Sequence, residues 1–247
     1  GNRMQRPIGP AILAIAASLM LSQTPYSAHA ATKSFLVGSF DELIVEGDII
    51  VKLDNMKAPS AKASGDHSLV EALKIERNGL TVKIRVQDYE GTTQKAKIGA
   101  PLVVTLGGRG VRKVSVDGSA QLDINQIRAP GMVVALKMSG AGQINVGKIE
   151  SDRVEVNLAG TGGINIASGK IRAARLSVSG SGKMDASKMP LMQAVLFQQG
   201  NATTHLLINE KIEISNSGSG TIQIDGSATC FVRQPGSAKI VCGKTAQ

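Results

Sequence analysis

The sequence predicts an all-β chain wound as a single-stranded parallel β-helix with coils of about 20 residues. Three observations carry that expectation. A glycine recurs at Gly118, Gly140, Gly160, Gly180, Gly200, Gly218 and Gly236, so that neighbours differ in position by 22, 20, 20, 20, 18 and again 18. A period in this range signals stacked repeats and not one globular core. Strand-like alternation flanks each glycine, and a small residue follows two positions after it.

The alternation lies in the columns obtained by aligning the repeats. The fourth residue after the glycine reads Leu122, Ile144, Ile164, Met184, Thr204, Ile222, Ile240, and the sixth reads Ile124, Val146, Ile166, Ala186, Leu206, Ile224, Cys242. The fifth is polar in all but the last repeat: Asp123, Asn145, Asn165, Asp185, His205, Gln223, then Val241. Apolar, polar, apolar is the period-two mark of a strand with one buried face. Four residues before the glycine stand Val114, Leu136, Val156, Leu176, Leu196, Ile214 and Val232. Hairpins turning at the glycine fit the same columns, but a four-stranded propeller blade needs about 40 to 45 residues. Only Ala or Gly occurs two residues past the glycine (Ala120, Gly142, Gly162, Gly182, Ala202, Gly220, Ala238), as expected of a crowded inward corner.

The units SGAGQIN (Ser139–Asn145), AGTGGIN (Ala159–Asn165), SGSGKMD (Ser179–Asp185) and SGSGTIQ (Ser217–Gln223) resemble the head GIN domain family, described as putative auto-transporter adhesins. The segments LIVEGDIIVKL (Leu43–Leu53), with Phe40 before it, and LKIERNGLTVKI (Leu73–Ile84) carry the same likeness, which runs from about Phe35 to Cys242. The resemblance implies a right-handed β-helix with no assigned enzymatic chemistry and no catalytic residues to carry over. Two late repeats depart from the pattern: QQGNAT (Gln198–Thr203) and QPGSAK (Gln234–Lys239) lose the doubled glycine or its serine context.

Before the repeats, Arg6 precedes an apolar run from Ile8 to Leu21 and a polar stretch ending Ala28-His29-Ala30. That order predicts a signal peptide over residues 1–30, with a run too short for a convincing membrane span. Residues 31–107 are expected to form irregular first coils that cap one end, with Asn78-Gly79 as a hairpin turn. Residues 108–247 are expected to form the regular coils of the same domain. The expected location is periplasmic or secreted.

The full chain carries a formal charge of +9. Removing Arg3 and Arg6 with the leader lowers this to +7 for the stretch from Ala31 to Gln247. The Lys and Arg are spread along strands and loops, as on a solvated face. Export and the scarcity of aromatic side chains argue against nucleic acid as a partner.

Residue chemistry narrows the functional classes further. Only His67 and His205 remain after cleavage, so a Ser-His-Asp triad has little material. Asp123 and Asp185 lie three coils apart, about 14 Å at one strand spacing per coil, too far for a carboxylate pair. No metal or cofactor is implied. The polar column Asp123, Asn145, Asn165, Asp185, His205, Gln223 reads in two ways. It is a strip for a sugar or cation, or an outward ladder whose side chains hydrogen-bond one another. Cys230 and Cys242 both fall in columns that are apolar elsewhere. They are expected to point inward and, in an oxidising compartment, to form a disulfide, with two reduced core thiols as the alternative.

The expected function is an exported, non-enzymatic binding or adhesin-like module, its partner an envelope or extracellular polysaccharide or protein. One rival is a β-helical polysaccharide-processing enzyme. The other is a self-assembling envelope protein, using Phe197 and Phe231 as an exposed apolar patch if they are not core.

Overall fold

The computed structural model describes residues 30–87, 99–234 and 236–246. The expected leader up to His29 and most of the polar stretch from Gln87 to Gly99 lie outside them. The described chain is almost entirely strand and winds into a parallel β-solenoid of about six turns.

Each regular coil has three sides. One side stacks β8 (Lys113–Gly118), the second half of β10 (Ile127–Gly140), β12 (Ile149–Gly160) and β14 (Gly169–Gly180). It continues through the later halves of β15 (Lys183–Gly200), β16 (Thr203–Asn216) and β17 (Thr221–Gln234). A second side stacks β9 (Gln121–Ile124), β11 (Gln143–Val146), β13 (Gly163–Ile166) and the opening segments of β15, β16, β17 and β18 (Lys239–Ala246). A short third side pairs Ile127–Ala129 with Ile149–Ser151, and its inward Ile171, Leu191 and Ile208 continue the column. All these pairings are parallel, so like positions meet like across coils.

The aligned columns become the core. Leu136, Val156, Leu176, Leu196 and Ile214 are buried on the first side, and Ile144, Ile164, Met184 and Ile222 on the second. Burying each such side chain contributes about 1.5–3 kcal/mol. The glycines mark the corner between the first two sides. Gly118, Gly140, Gly160, Gly180 and Gly200 are stacked in register, all with φ between +86° and +110°. A Cβ on Gly160 would stand 2.4 Å from the Gly140 carbonyl oxygen, so both the dihedral and the space exclude a side chain. The next amides close the corner, with the Gly162 N–H donating to Gly140 O at 2.9 Å.

The shortening of the period along the chain is absorbed on the third side. In the longest coil, Pro130, Gly131 and Met132 bulge outward where the register breaks between Ala129 and Val133. In the first of the shortest coils, Leu206 and Leu207 pair with Ala186 and Pro190, and Ser187–Met189 have no counterpart. The second side keeps its register throughout the change, and the first breaks only in the late coils, where Ile214 pairs with Val232 and Ser215 with Gln234.

The N-terminal segment departs from simple succession. β2 (Glu42–Glu46) pairs with both β6 (Thr81–Val86) and β8, and β3 (Ile50–Asp54) with both β7 (Val103–Gly107) and β9. The coil formed first in sequence is therefore second in space, sandwiched between a later coil and the repeats. Beyond it, β5 (Leu73–Asn78) pairs antiparallel with β6, β4 (Ser60–Asp66) with β7, and β1 (Ala30–Phe35) with β4. Antiparallel strands do not propagate the parallel stack, so this end is closed to further coils. The β5–β6 loop is Gly79–Leu80, with Gly79 at φ +61° as its first residue. One short helix, α1 (His67–Ala72), has no counterpart in the strand pattern; Asp66 caps it by accepting from the Ser68 N–H.

Candidate functional site

The polar column forms one outward row on the second side. Its register runs Thr105, Lys52, Asp123, Asn145, Asn165, Asp185, His205, Gln223, Val241, one residue per coil. The residues before and after each member point inward, all of them apolar but Thr204, so strand alternation forces the row onto the surface. All six predicted members are half-buried, flanked by the side chains of neighbouring coils.

Hydrogen bonds join parts of this row. Asn145 Nδ2 donates to Asp123 Oδ1 at 2.8 Å, and Gln121 Nε2 donates to Asp123 Oδ2 at 2.8 Å. Gln143 Nε2 reaches Asn145 Oδ1 at 3.3 Å. Asp185 accepts from the hydroxyl and amide of Ser187 and pairs with Lys183 at 3.3 Å. Burial opposes ionisation of Asp185, but those donors outweigh it and hold its pKa below the ordinary value. His205 Nε2 lies 2.6 Å from Asp225 Oδ2, and Gln223 Nε2 donates to Asp225 Oδ1 at 3.1 Å. The His205 contact, followed by the Gln223 amide, lowers the Asp225 pKa. Most of these bonds run along one strand or to the adjacent corner; only Asn145–Asp123 links two members of the column.

The row is continuous but its surroundings are not. Asp123, Asn145 and Asn165 line a trough of about 480 Å³ at the corner toward the third side. Gly147 and Ala167 form its low edge, and Lys52, Asp54, Lys57 and Asn125 close the end nearest the cap. Asn125 Nδ2 donates to Asp54 Oδ1 at 2.7 Å, and Lys57 Nζ lies 3.5 Å from Asp54 Oδ2. The Met56 N–H, then Asn125 and Lys57, keep the Asp54 pKa low against an opposing desolvation cost. The trough thus presents amides, carboxylates and ammonium groups over a floor of small side chains. Asp185, His205 and Gln223 lie outside it.

Lys52, Asp54, Lys57 and Asn125 were not among the expected site residues. Lys52 follows Gly47 by five positions, the same offset as the rest of the row, and Gly47 stacks beside Gly118 with φ +95°. Asp54 and Asn125 share the offset of seven. The template was legible at Gly47, but the long stretch of other strands between Gly47 and Gly118 hid the period.

Cys230 and Cys242 are disulfide-bonded, with Cα atoms 6.5 Å apart. Cys230 is fully buried and Cys242 partly so, and the bond ties β18 to the later half of β17. Phe197 and Phe231 are surface residues, 43% and 40% exposed. They sit two coils apart, and each ring face carries a cation: Arg175 over Phe197 at 5.1 Å and Lys211 over Phe231 at 5.2 Å. They do not form one contiguous apolar patch. Among the described residues no helix is long and apolar enough to cross a membrane, and no group of three or more His, Cys, Asp or Glu could hold a metal ion.

A stacked glycine corner, a polar outward row and an antiparallel cap define a capped β-solenoid with one repeated chemical face. The family described as "putative auto-transporter adhesin, head GIN domain" matches residues 39–228, and the chain belongs to it. Solved structures share the fold at low identity. A putative adhesin from Bacteroides fragilis is 16% identical with a TM-score of 0.76, over 89% of this chain and 98% of that one. A putative lipid binding protein from Parabacteroides distasonis is 18% identical with a TM-score of 0.64, over 87% and 98%. A putative adhesin from Parabacteroides merdae is 15% identical with a TM-score of 0.61, over 88% and 96%. A search of curated proteins gives no match.

Proposed function

We propose that the chain is an exported, non-enzymatic, adhesin-like module that binds an envelope or extracellular polysaccharide along the second side of the solenoid. The observation that carries this reading is the trough where Asp123, Asn145 and Asn165 converge with Lys52 and Asn125. Sugar hydroxyls both donate and accept, and side-chain amides and carboxylates on a rigid sheet offer fixed complements to both. Asn145 and Asn165 repeat one amide on successive coils about 4.8 Å apart, so a polymer with a repeating unit meets the same chemistry twice. Family membership and the adhesin descriptions of the structural neighbours support the class. The disulfide and the leader-like residues 1–30 support export to the periplasm or beyond.

The test is a screen of the purified mature chain against envelope polysaccharides and extracellular matrix proteins, with product analysis on every polysaccharide. Saturable retention of a polysaccharide without release of shorter chains is expected. Turnover of a polysaccharide without saturable binding of any partner would move the protein to the enzymes, and retention only on matrix proteins would replace the ligand class. Fractionation of cells expressing the full chain is expected to recover it outside the cytoplasm.

A further inference from the structure

We infer that a second binding site, on the opposite corner of the solenoid, takes the acidic groups of an anionic polysaccharide. The inference is independent of the trough.

A depression of about 260 Å³ lies on the first side, next to its corner with the third. Its floor exists because Ala173 stands in the row between Arg153 and Gln193, with Lys211 next beyond. Arg153 and Arg175 flank this low point, and neither closes an ion pair with any described residue. The other two cations of the rim are already engaged: Arg172 forks Asp152 with two 3.0 Å hydrogen bonds, and Lys211 lies 2.8 Å from Glu213. Arg233 also reaches Glu213, at 3.2 Å. Glu155 neighbours Arg175 in its row but stays beyond ion-pair distance.

The orientation of Arg175 is set by a neighbour. Its guanidinium lies 5.1 Å from the centroid of the Phe197 ring. The ring takes up one side of the guanidinium, and an arginine has five N–H donors, enough to reach a carboxylate or sulfate as well. Arg153 supplies a second such group on the coil below. The concavity selects a protruding anion over a flat surface. A planar anionic bilayer would meet Asp152, Glu155 and Glu213 together with the cations, whereas a single projecting acid group enters between the two unpaired guanidiniums. The nearest exposed aromatic face is the one that Arg175 already covers, so neither membrane insertion nor base stacking is served. A polymer bearing uronate or sulfate groups fits these constraints.

Binding is measured by titrating the intact mature chain with polygalacturonate, dextran sulfate and neutral dextran at low and moderate salt. At least one acidic polymer is expected to bind, weakening as salt rises, with no binding of neutral dextran. The double variant Arg153→Gln and Arg175→Gln is expected to bind about tenfold more weakly or worse, because two charge-assisted donors are lost. Ala173→Glu puts a carboxylate on the floor beside Arg153 that competes with and repels the ligand, and is expected to abolish binding without replacing either arginine. Lys62→Gln with Lys74→Gln, two exposed cations on β4 and β5 far from the depression, leaves this binding unchanged, which separates a local site from the overall basic charge. Absence of binding to either acidic polymer overturns the inference, as does equal affinity in the arginine variant. Equal loss in the Lys62 and Lys74 variant also overturns it, as does an equal arginine dependence for phosphatidylglycerol vesicles or single-stranded DNA.

Discussion

Thr204 Oγ1 donates a 2.6 Å hydrogen bond to Gln198 Oε1 inside the apolar core, across the corner formed by Gly200. Gln198 Nε2 completes the link by donating to Ala202 O at 3.0 Å. One coil earlier the same two positions are held by Val178 and Met184. A polar pair has therefore replaced an apolar one, and both partners are buried and satisfied. Thr204→Val strands the Gln198 carbonyl oxygen and is expected to cost about 1–3 kcal/mol. Gln198→Val combined with Thr204→Met restores the apolar pair and is expected to recover most of that loss. Urea unfolding of Gln198→Val, Thr204→Met and the double variant measures the coupling.

The glycine corner separates strain from crowding. Gly160→Ala faces both a φ of +110° and a carbonyl oxygen 2.4 Å from the new Cβ. Gly131→Ala faces a φ of +71° with nothing within 4 Å. The second substitution is expected to cost about 1–2 kcal/mol from the backbone alone. The first is expected to cost several times more, because the stacked backbone of the preceding coil at Gly140 must move. Melting temperatures of the two variants give the comparison.

The disulfide clamps the last coil. Replacing Cys230 and Cys242 together by alanine releases a loop with a sequence separation of 12, expected to cost about 3 kcal/mol in the chain-entropy model. Hydrogen exchange is expected to locate the loss in β18 and the later half of β17, with β10 and β12 unchanged. A uniform increase in exchange would mean that the solenoid unfolds as one unit and that the clamp protects all of it.

Acid should loosen the corner at His205. The Asp225 pKa is lowered from 3.8 in the folded chain, first by the His205 contact and then by Gln223. A depressed folded pKa gives stability that is complete above the unfolded value and lost as pH falls through the folded one. Stability from this pair is therefore expected to hold above about pH 4 and to decline below it. His205→Ala is expected to remove that contribution, lowering stability slightly above about pH 4 and leaving strongly acidic melting behaviour unchanged, the effect being small because the pair is only partly buried. Melting curves from strongly acidic to neutral pH follow it.

Much of this architecture was legible because one residue per coil had to be glycine. Gly118 to Gly200 hold their dihedrals and their close carbonyl contacts together, and that constraint writes a period into the chain. The apolar columns followed from the same alignment, as did the inward Cys230. Three features were not legible, each for a physical reason. The place of β2 and β3 between a later coil and the repeats is a matter of topology, which no spacing records. Gln198 and Thr204 look like interruptions in apolar columns, because a satisfied polar pair reads the same as an exposed one. The cap-side wall of the trough comes from Asp54, Lys57 and Asn125, with Asp54 and Asn125 brought together across a sequence separation of 71.

The outward row is either a binding surface or a brace between coils. Replacing Asn145, Asn165 and Asp185 singly by alanine, with urea midpoint and retention on the bound polysaccharide read side by side, decides between them. A binding surface gives near wild-type midpoints in all three variants, with retention weakened most by the changes at Asn145 and Asn165 in the trough. Equal losses of stability at all three positions with retention intact would contradict it and make the row a structural ladder.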